Sequence, residues 1–180
     1  SNILTCTRQF SYTSQNKNTI DIVLSLNGIP VVAMELKNQL TGQSVNNAKR
    51  QFMYDRDEKE FCFRFNNRFL VYFCVDLYEV AMTTQLQGEK TYFLPFNQGS
   101  NGAGNIGDGG NPKCEDGYAT SYLWEYVLNP EMLLSIFQRY ISKQTTESIS
   151  LVNGKKVTKT KTILIFPRYH QLDVVEKLVA

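Results

Sequence analysis

A hairpin of two apolar strands over residues 20–37 constrains the fold more than any other segment. The two runs flank Asn27-Gly28, a pair typical of tight β-hairpin turns. Asp21 interrupts the first run, and the second run ends with Glu35 and Lys37, which share one face of a strand because side chains alternate. Charges gathered on one face of an otherwise apolar hairpin predict a functional site.

The apolar pattern also predicts how the two strands pair. Faces must agree across the pair, because a slip of one residue turns every side chain to the other face. A two-residue turn alone would place Asp21 and Glu35 on opposite faces. Pairing Asp21 with Glu35 requires a bulge or a three-residue loop over 27–29, which would pair Leu26 with Pro30. The sequence predicts this second register, with both carboxylates together.

Two opposed carboxylates favour a bound cation. They repel each other and raise each other's pKa unless a positive charge lies between them. Mg²⁺ binds to one or two carboxylates and completes its shell with water. Lys37, on the face of Glu35, is suited to orient a water and to offset charge developing on a phosphate. On spacing alone, a structural ion pair of Glu35 with Lys37 remains the alternative.

The rest of the chain alternates strand-like and helix-like segments, which predicts a mixed α/β fold with a central mixed sheet flanked by helices. The strand at 69–76 is apolar on both faces and predicts an interior strand. Further strands are predicted at 3–13, 79–85, 90–94 and 162–166, with a hairpin turn at Asn153-Gly154, and helices at 44–56, 120–128, 130–142 and from 169.

A glycine-rich segment over 97–118 predicts a long irregular loop. It holds seven of the 11 glycines in the chain. Gly102-x-Gly104-x-x-Gly107 has the spacing of a dinucleotide fingerprint but lacks the strand before it and the helix after it. Asn105 stands where a phosphate-binding loop requires lysine. The loop is therefore not predicted to bind a nucleotide.

Composition excludes several classes of protein. The chain is 42% hydrophobic and 20% charged, as in globular proteins, and has no apolar run long enough to cross a membrane. Its four cysteines form no Cys-x-x-Cys pair, and its one histidine, His170, lies far from them, which argues against zinc and against Ser-His or Cys-His catalysis. Reduced thiols in a cytoplasmic protein are expected.

Basic residues form two clusters, which suit a polyanionic partner or simply a solvated face. They are Lys49, Arg50, Arg56, Arg64 and Arg68 in the first cluster, and Lys155, Lys156, Lys159, Lys161 and Arg168 in the second.

The charged hairpin resembles a known nuclease motif. Asp21 followed by Glu35-Leu36-Lys37 resembles the PD-(D/E)xK motif, and the whole stretch 21–38 resembles the nuclease domain of type I restriction endonuclease R subunits. Other segments that resemble this family are Arg50-Gln51, Met82-Thr83-Thr84, Phe93-Leu94-Pro95-Phe96-Asn97, Gly102-Ala103-Gly104-Asn105 and Tyr122-Leu123-Trp124-Glu125.

The resemblance implies a restriction-endonuclease-like fold and roles for particular residues. Asp21, Glu35 and the backbone carbonyl of Leu36 would bind Mg²⁺, and Lys37 would serve the attacking water. Gln51 would contact the site from the next helix, as in the Gln-x-x-x-Tyr motif of RecB-type nucleases. That motif's tyrosine is displaced here: position 55 is Asp, and Tyr54 comes one residue early. Both helix residues also have an ordinary surface role as their alternative.

The end of the chain resembles the start of the helicase motor in the same subunits. In the segment 166–173, Gln171 would help to read the adenine of ATP in the full-length protein, whereas in this fragment it is an ordinary residue of a first helical turn. No Gly-x-x-x-x-Gly-Lys-Thr follows. We therefore expect a nuclease domain over 1–145 and, over 146–180, a connector and the truncated start of the motor; the native chain is expected to begin further upstream.

The implied activity is Mg²⁺-dependent hydrolysis of double-stranded DNA at nonspecific sites after ATP-driven translocation. The implied partners are the methyltransferase and specificity subunits of the restriction complex, with no membrane. Two alternatives remain: a catalytically silent nuclease fold that docks or guides DNA, and a free-standing repair nuclease of the RecB type.

Overall fold

Six strands form one mixed sheet in the computed structural model, which describes residues 1–115, 117–153 and 155–179. The strands follow each other in chain order across the sheet: β1 (Leu4–Ser11), β2 (Thr19–Leu26), β3 (Ile29–Leu36), β4 (Val71–Val75), β5 (Val80–Thr83) and β6 (Leu94–Pro95). Only the β3–β4 pair is parallel, because a helix-containing crossover connects it; the other pairs are antiparallel. The predicted mixed sheet is confirmed.

Helices cover both faces of this sheet. Helix α1 (Val45–Tyr54) lies in the β3–β4 crossover. Helix α2 (Pro130–Ser135) follows a π-helical segment at Leu123–Val127 and continues into a second π-helical segment at Ile136–Tyr140. The helical segments predicted at 120–128 and 130–142 are therefore slightly shorter than expected. Strands β7 (Ser142–Val152) and β8 (Lys155–Ile165) pair as a separate hairpin, whose predicted turn residue Gly154 lies outside the described residues. Helix α3 (Tyr169–Val179) ends the chain.

The sheet separates two hydrophobic cores. The first core joins Met34 and Phe73 to α2 and α3 through residues such as Leu133 and Leu172. The second core joins Ala33, Tyr72 and Cys74 of the sheet to α1, whose Val45, Ala48 and Phe52 face inward. Strand β4 is buried at all five positions, which confirms it as an interior strand.

The hairpin β2–β3 reaches the predicted register through a bulge, one of the two predicted routes. Asn27 and Gly28 both have positive φ (52° and 81°), so they form a two-residue turn that pairs Leu26 with Ile29. The predicted three-residue loop and the Leu26–Pro30 pair are therefore wrong. The register shifts beyond Ser25, where Val31 is a bulge residue without a partner across the pair.

Two further differences have local causes. The bulge turns Val31 into the first core beside Val32, whereas strict alternation would place it on the face of Glu35. The strand predicted at 90–94 shortens to Leu94–Pro95, because the chain turns tightly where Thr91 N–H donates to the carbonyl of Gly88 (3.0 Å). The described part of the 97–118 loop contains neither helix nor strand, as expected.

Candidate active site

The two carboxylates lie together at one end of the hairpin. Ile22 pairs with Met34, so Asp21 and Glu35 occupy the next position of the same register. There Asp21 Oδ2 accepts a hydrogen bond from the backbone N–H of Leu36 (2.8 Å). Glu35 faces the second core beside Cys74, its neighbour on β4. The predicted placement on one face is what the structure shows.

A glutamine from the edge strand orients Asp21. Gln9 Nε2 donates to Asp21 Oδ1 (3.1 Å), and Gln9 Oε1 accepts from the hydroxyl of Thr19 (2.6 Å). Gln9 has a positive φ of 50°, which is uncommon for a residue with a Cβ. The strained backbone and the two hydrogen bonds give the Asp21 side chain a defined orientation, a role that the sequence pattern did not predict.

Glu35 is fully buried and only half satisfied. Its Oε1 accepts from Arg56 Nη2 (2.7 Å), whereas its Oε2 has no hydrogen-bond partner among the described residues. A buried carboxylate oxygen without a protein partner is costly, so native structures complete the contact with a water, an ion or a ligand. The free oxygen is the strongest sign of a binding function at this site.

Arg56 is the main member of the site that sequence reasoning did not single out. Its guanidinium also donates to the carbonyl oxygens of Thr19 (2.8 Å) and Asp55 (3.1 Å) and lies 5.5 Å from the ring centroid of Tyr12. Arg56 is 5% exposed, although it follows the end of α1 directly. In the sequence it is one of several basic residues, and no periodicity marks it as the buried one.

Burial raises the pKa of Glu35 from its ordinary 4.5 to about 7. The Arg56 cation opposes this shift, and the neighbouring Asp21 carboxylate adds to it. The ionised form of Glu35 is thus only partly compensated by the protein itself. A cation on the side of the free oxygen would compensate it further.

Lys37 and Gln51 meet on the side of α1. Lys37 Nζ donates to Gln51 Oε1 (2.5 Å), and the backbone N–H of Lys37 donates to the carbonyl of Val75 (2.8 Å). Gln51 and Tyr54 lie on one face of α1 and, with Asp21 and Arg56, line a polar cleft of about 640 Å³. The structure therefore brings Asp21, Glu35, Leu36, Lys37 and Gln51 together, with Tyr54 59% exposed at the rim.

Gln171 lies outside the carboxylate site. Its Oε1 accepts from the backbone N–H of Arg168 (2.8 Å), which caps the start of α3. Helix α3 packs into the first core through Leu172, on the face of the sheet opposite to the carboxylates. The adenine contact expected of Gln171 in a longer protein stays a prediction.

The donor set fits Mg²⁺. Among the described residues, no group of three Asp, Glu, His or Cys side chains forms a closed metal cluster. Mg²⁺ does not need one, because it uses one or two carboxylates and retains several waters. The partnerless Glu35 Oε2 beside Asp21 matches that requirement, and the backbone N–H of Leu36 contacts Asp21.

Residues 1–91 match the family described as the type I restriction enzyme R protein N terminus. The chain belongs to this family. Every residue of the cleft described above lies within the match, whereas α2, the hairpin β7–β8 and α3 follow it. The six-stranded mixed sheet flanked by helices is consistent with the restriction-endonuclease-like fold expected of it.

No curated protein and no solved structure matches the chain. None of the helices in the described part of the chain combines the length and the apolarity needed to cross a bilayer.

Proposed function

We propose that this R-protein N-terminal domain is the Mg²⁺-dependent endonuclease of a type I restriction enzyme. It would hydrolyse phosphodiesters of double-stranded DNA at nonspecific positions, in a cytoplasmic complex with methyltransferase and specificity subunits, after ATP-driven translocation by the rest of its subunit. One observation carries the proposal: the partnerless oxygen of buried Glu35 lies beside the Asp21 carboxylate.

Each residue has a task that its contacts support. Asp21, Glu35 Oε2 and the carbonyl of Leu36 would hold Mg²⁺. When bound, that ion lowers the pKa of water and neutralises charge on the scissile phosphate. Gln51 holds the Lys37 ammonium on the side of α1, from where Lys37 would donate a hydrogen bond to the attacking water.

Arg56 and Gln9 contact the carboxylates and would not contact the metal ion. Arg56 occupies Oε1 of Glu35, so only Oε2 is available to a cation. Gln9 orients Asp21 from the other side. Both residues hold a carboxylate rather than touch the substrate, as supporting residues do in metal sites.

The test separates cleavage from translocation in the assembled complex. We expect Glu35→Gln and Lys37→Met each to abolish DNA cleavage while ATP turnover on the same DNA continues. The matched control is Asp55→Asn, because Asp55 lines the same cleft but lies outside the carboxylate pair. Loss of ATP turnover together with cleavage, or normal cleavage by Glu35→Gln, contradicts the proposal.

Metal binding separates a nuclease from a silent nuclease fold. Calorimetric titration with Mn²⁺ in place of Mg²⁺ should show one site in the wild-type chain and none in Asp21→Asn. A wild-type chain that binds no Mn²⁺ would favour the docking or DNA-guiding alternative.

A further inference from the structure

The hairpin β7–β8 stands apart from the six-stranded sheet. Its strands have 11 residues each and, in the described part of the chain, pair only with each other. At 3.3–3.4 Å per residue the ribbon is roughly 35 Å long. Its base is attached to the domain, where Leu164 is buried and its carbonyl accepts from the hydroxyl of Thr84 (2.7 Å). The side chains over 142–151 and 155–161 are exposed.

Such a ribbon gains little from packing. A two-stranded hairpin without a core is marginally stable in water. Its many exposed β-branched residues favour the strand conformation, but they leave both faces of the ribbon available to a partner. The side chains on each face therefore indicate what the ribbon binds.

The register of the β7–β8 hairpin shows which lysines lie on the same face of the ribbon. Alternate residues of a strand share a face, so Lys155, Lys159 and Lys161 of β8 lie together; we call this the lysine face. Across the ribbon, Lys159 is paired with Ser148 and Lys161 with Thr146, which adds two hydroxyls to the lysine face.

The one carboxylate of the two strands lies on the opposite face. The only acidic residue of either strand, Glu147, pairs with Thr160 on that other face, together with Lys143 and Lys156. The lysine face therefore presents three ammonium groups and no carboxylate from its own strands. A cationic strip without neutralising neighbours attracts a polyanion.

Duplex DNA fits this strip in charge and in shape. Lysine ammonium groups and Ser or Thr hydroxyls are the common side-chain donors to phosphate oxygens. A two-stranded ribbon is also one of the two elements that the major groove admits. A protein surface would need a matching acidic strip, whereas every DNA duplex has one.

We propose that the lysine face binds the phosphate backbone of duplex DNA and so provides a sequence-independent DNA contact outside the carboxylate site. The choice of DNA over other polyanions rests on the proposed nuclease function. The contact would hold the duplex to the domain without taking part in the chemistry.

The experiment compares two variants with the same change of charge on opposite faces of the ribbon. Lys159→Gln/Lys161→Gln removes two charges from the lysine face, and Lys143→Gln/Lys156→Gln removes two from the other. Binding of the full chain to a fluorescent duplex of about 30 base pairs, three helical turns, is measured by anisotropy in EDTA over a range of NaCl concentrations. EDTA prevents cleavage and makes the measurement independent of the metal site.

We expect the lysine-face variant to bind DNA about tenfold more weakly at low salt and to reduce the slope of log K against log salt by about 1.8, or about 0.9 per phosphate contact. The opposite-face variant should keep nearly the wild-type affinity and slope. Equal losses in both variants, no loss in either, or no DNA binding by the wild-type chain would overturn the proposal.

Mn²⁺ titration of the same proteins distinguishes this proposal from the nuclease assignment. Both ribbon variants should bind Mn²⁺ like the wild type. Failure of the wild type to bind Mn²⁺ counts against the nuclease and leaves the face-specific DNA result intact. Normal Mn²⁺ binding without a face-specific effect counts against the ribbon alone.

Discussion

The two carboxylates of the site have the same chemistry but different surroundings. Asp21 and Glu35 are both carboxylates in one register, yet Asp21 accepts two hydrogen bonds from neutral groups, whereas Glu35 is buried against a guanidinium. The raised pKa of Glu35 follows from that burial. Protonation of Glu35 would therefore compete with the proposed cation near neutral pH.

Metal affinity should depend steeply on pH. The pKa of Glu35 in the folded protein is about 7, so below that pH the proton occupies the ligand. We expect the Mn²⁺ affinity of the wild-type chain to fall roughly tenfold per pH unit below about pH 7 and to level off above it. Calorimetry across this range checks the profile, with Asp55→Asn as the control that retains it. An affinity that does not change between about pH 6 and 8 contradicts this assignment.

The raised pKa of Glu35 also affects the stability of the metal-free fold. Here low pH is favourable, whereas for metal binding it is unfavourable. Because the folded-state pKa lies above the ordinary 4.5, ionising Glu35 costs stability. This cost is absent below about pH 4.5, grows as pH rises toward 7 and is complete above it.

Loss of Arg56 should destabilise the metal-free fold strongly. Arg56→Ala leaves Glu35 Oε1 buried without its counter-charge, which costs about 3–5 kcal/mol in the free energy of unfolding. Arg50→Ala is the control, because Arg50 is exposed on the same helix and its loss should cost less than about 0.5 kcal/mol. Urea denaturation at neutral pH measures both, and equal values for the two variants would show that the ion pair is not stabilising.

At the scale of the element, side-chain alternation along a strand predicts which face a residue occupies, but it does not predict where an extra residue is inserted. The apolar pattern of β2 and β3 was sufficient to place Asp21 and Glu35 on one face. It specifies only that one extra residue is needed, not where, so a bulge and a three-residue loop both stayed open, and the structure has the bulge, at Val31. The turn chemistry of Asn27-Gly28 decides the matter, since both residues adopt the positive φ of a two-residue turn.

The buried side chain of Arg56 was not predictable for a related reason. Periodicity reports which positions of a helix face inward, and Arg56 follows the end of α1. Its burial depends on acceptors from Thr19 and Glu35, which are distant in sequence. Likewise, Gln9 reaches Asp21 only because of its unusual backbone on β1.

The bulge residue should be removable without loss of the site. Because Val31 has no partner on β2, its deletion leaves a regular hairpin in which Val32 still faces Leu24 and the register of Glu35 is kept. We expect the chain without Val31 to retain Mn²⁺ binding, with some loss of thermal stability because its buried side chain is gone.

Deleting both Val31 and Val32 is the contrasting variant. It slips the strand by one position and turns Glu35 away from Asp21, so Mn²⁺ binding should disappear while strand content measured by circular dichroism persists. Retained Mn²⁺ binding in this variant would show that the register does not place the carboxylates.

On the scale of the whole molecule, the chain beyond the family match completes the fold. Phe166 and Leu172 are 3% and 0% exposed and belong to the first core together with Phe73 of the central strand. The segment expected to be a connector and the start of a motor domain thus covers one face of the sheet. The domain boundary expected near residue 145 remains a prediction that stability measurements can address.

Substitutions in α3 should show whether this segment is structural. Leu172→Ala creates a cavity in the first core and should lower the free energy of unfolding by about 2–5 kcal/mol. Leu178→Ala, on the same helix but 78% exposed, is the matched control and should change it by less than about 0.5 kcal/mol. Chemical denaturation of both variants gives the comparison, and a small effect for Leu172→Ala would mean that the domain is complete without α3.

Arg56 also gives the domain a resident counter-ion. With its guanidinium in place, the group formed by Asp21, Glu35 and Arg56 carries one net negative charge rather than two when both acids are ionised. Folding therefore does not have to wait for a divalent ion to screen the carboxylates from each other. In the proposed nuclease, the supply of magnesium would then govern when DNA is cut and not whether the protein folds.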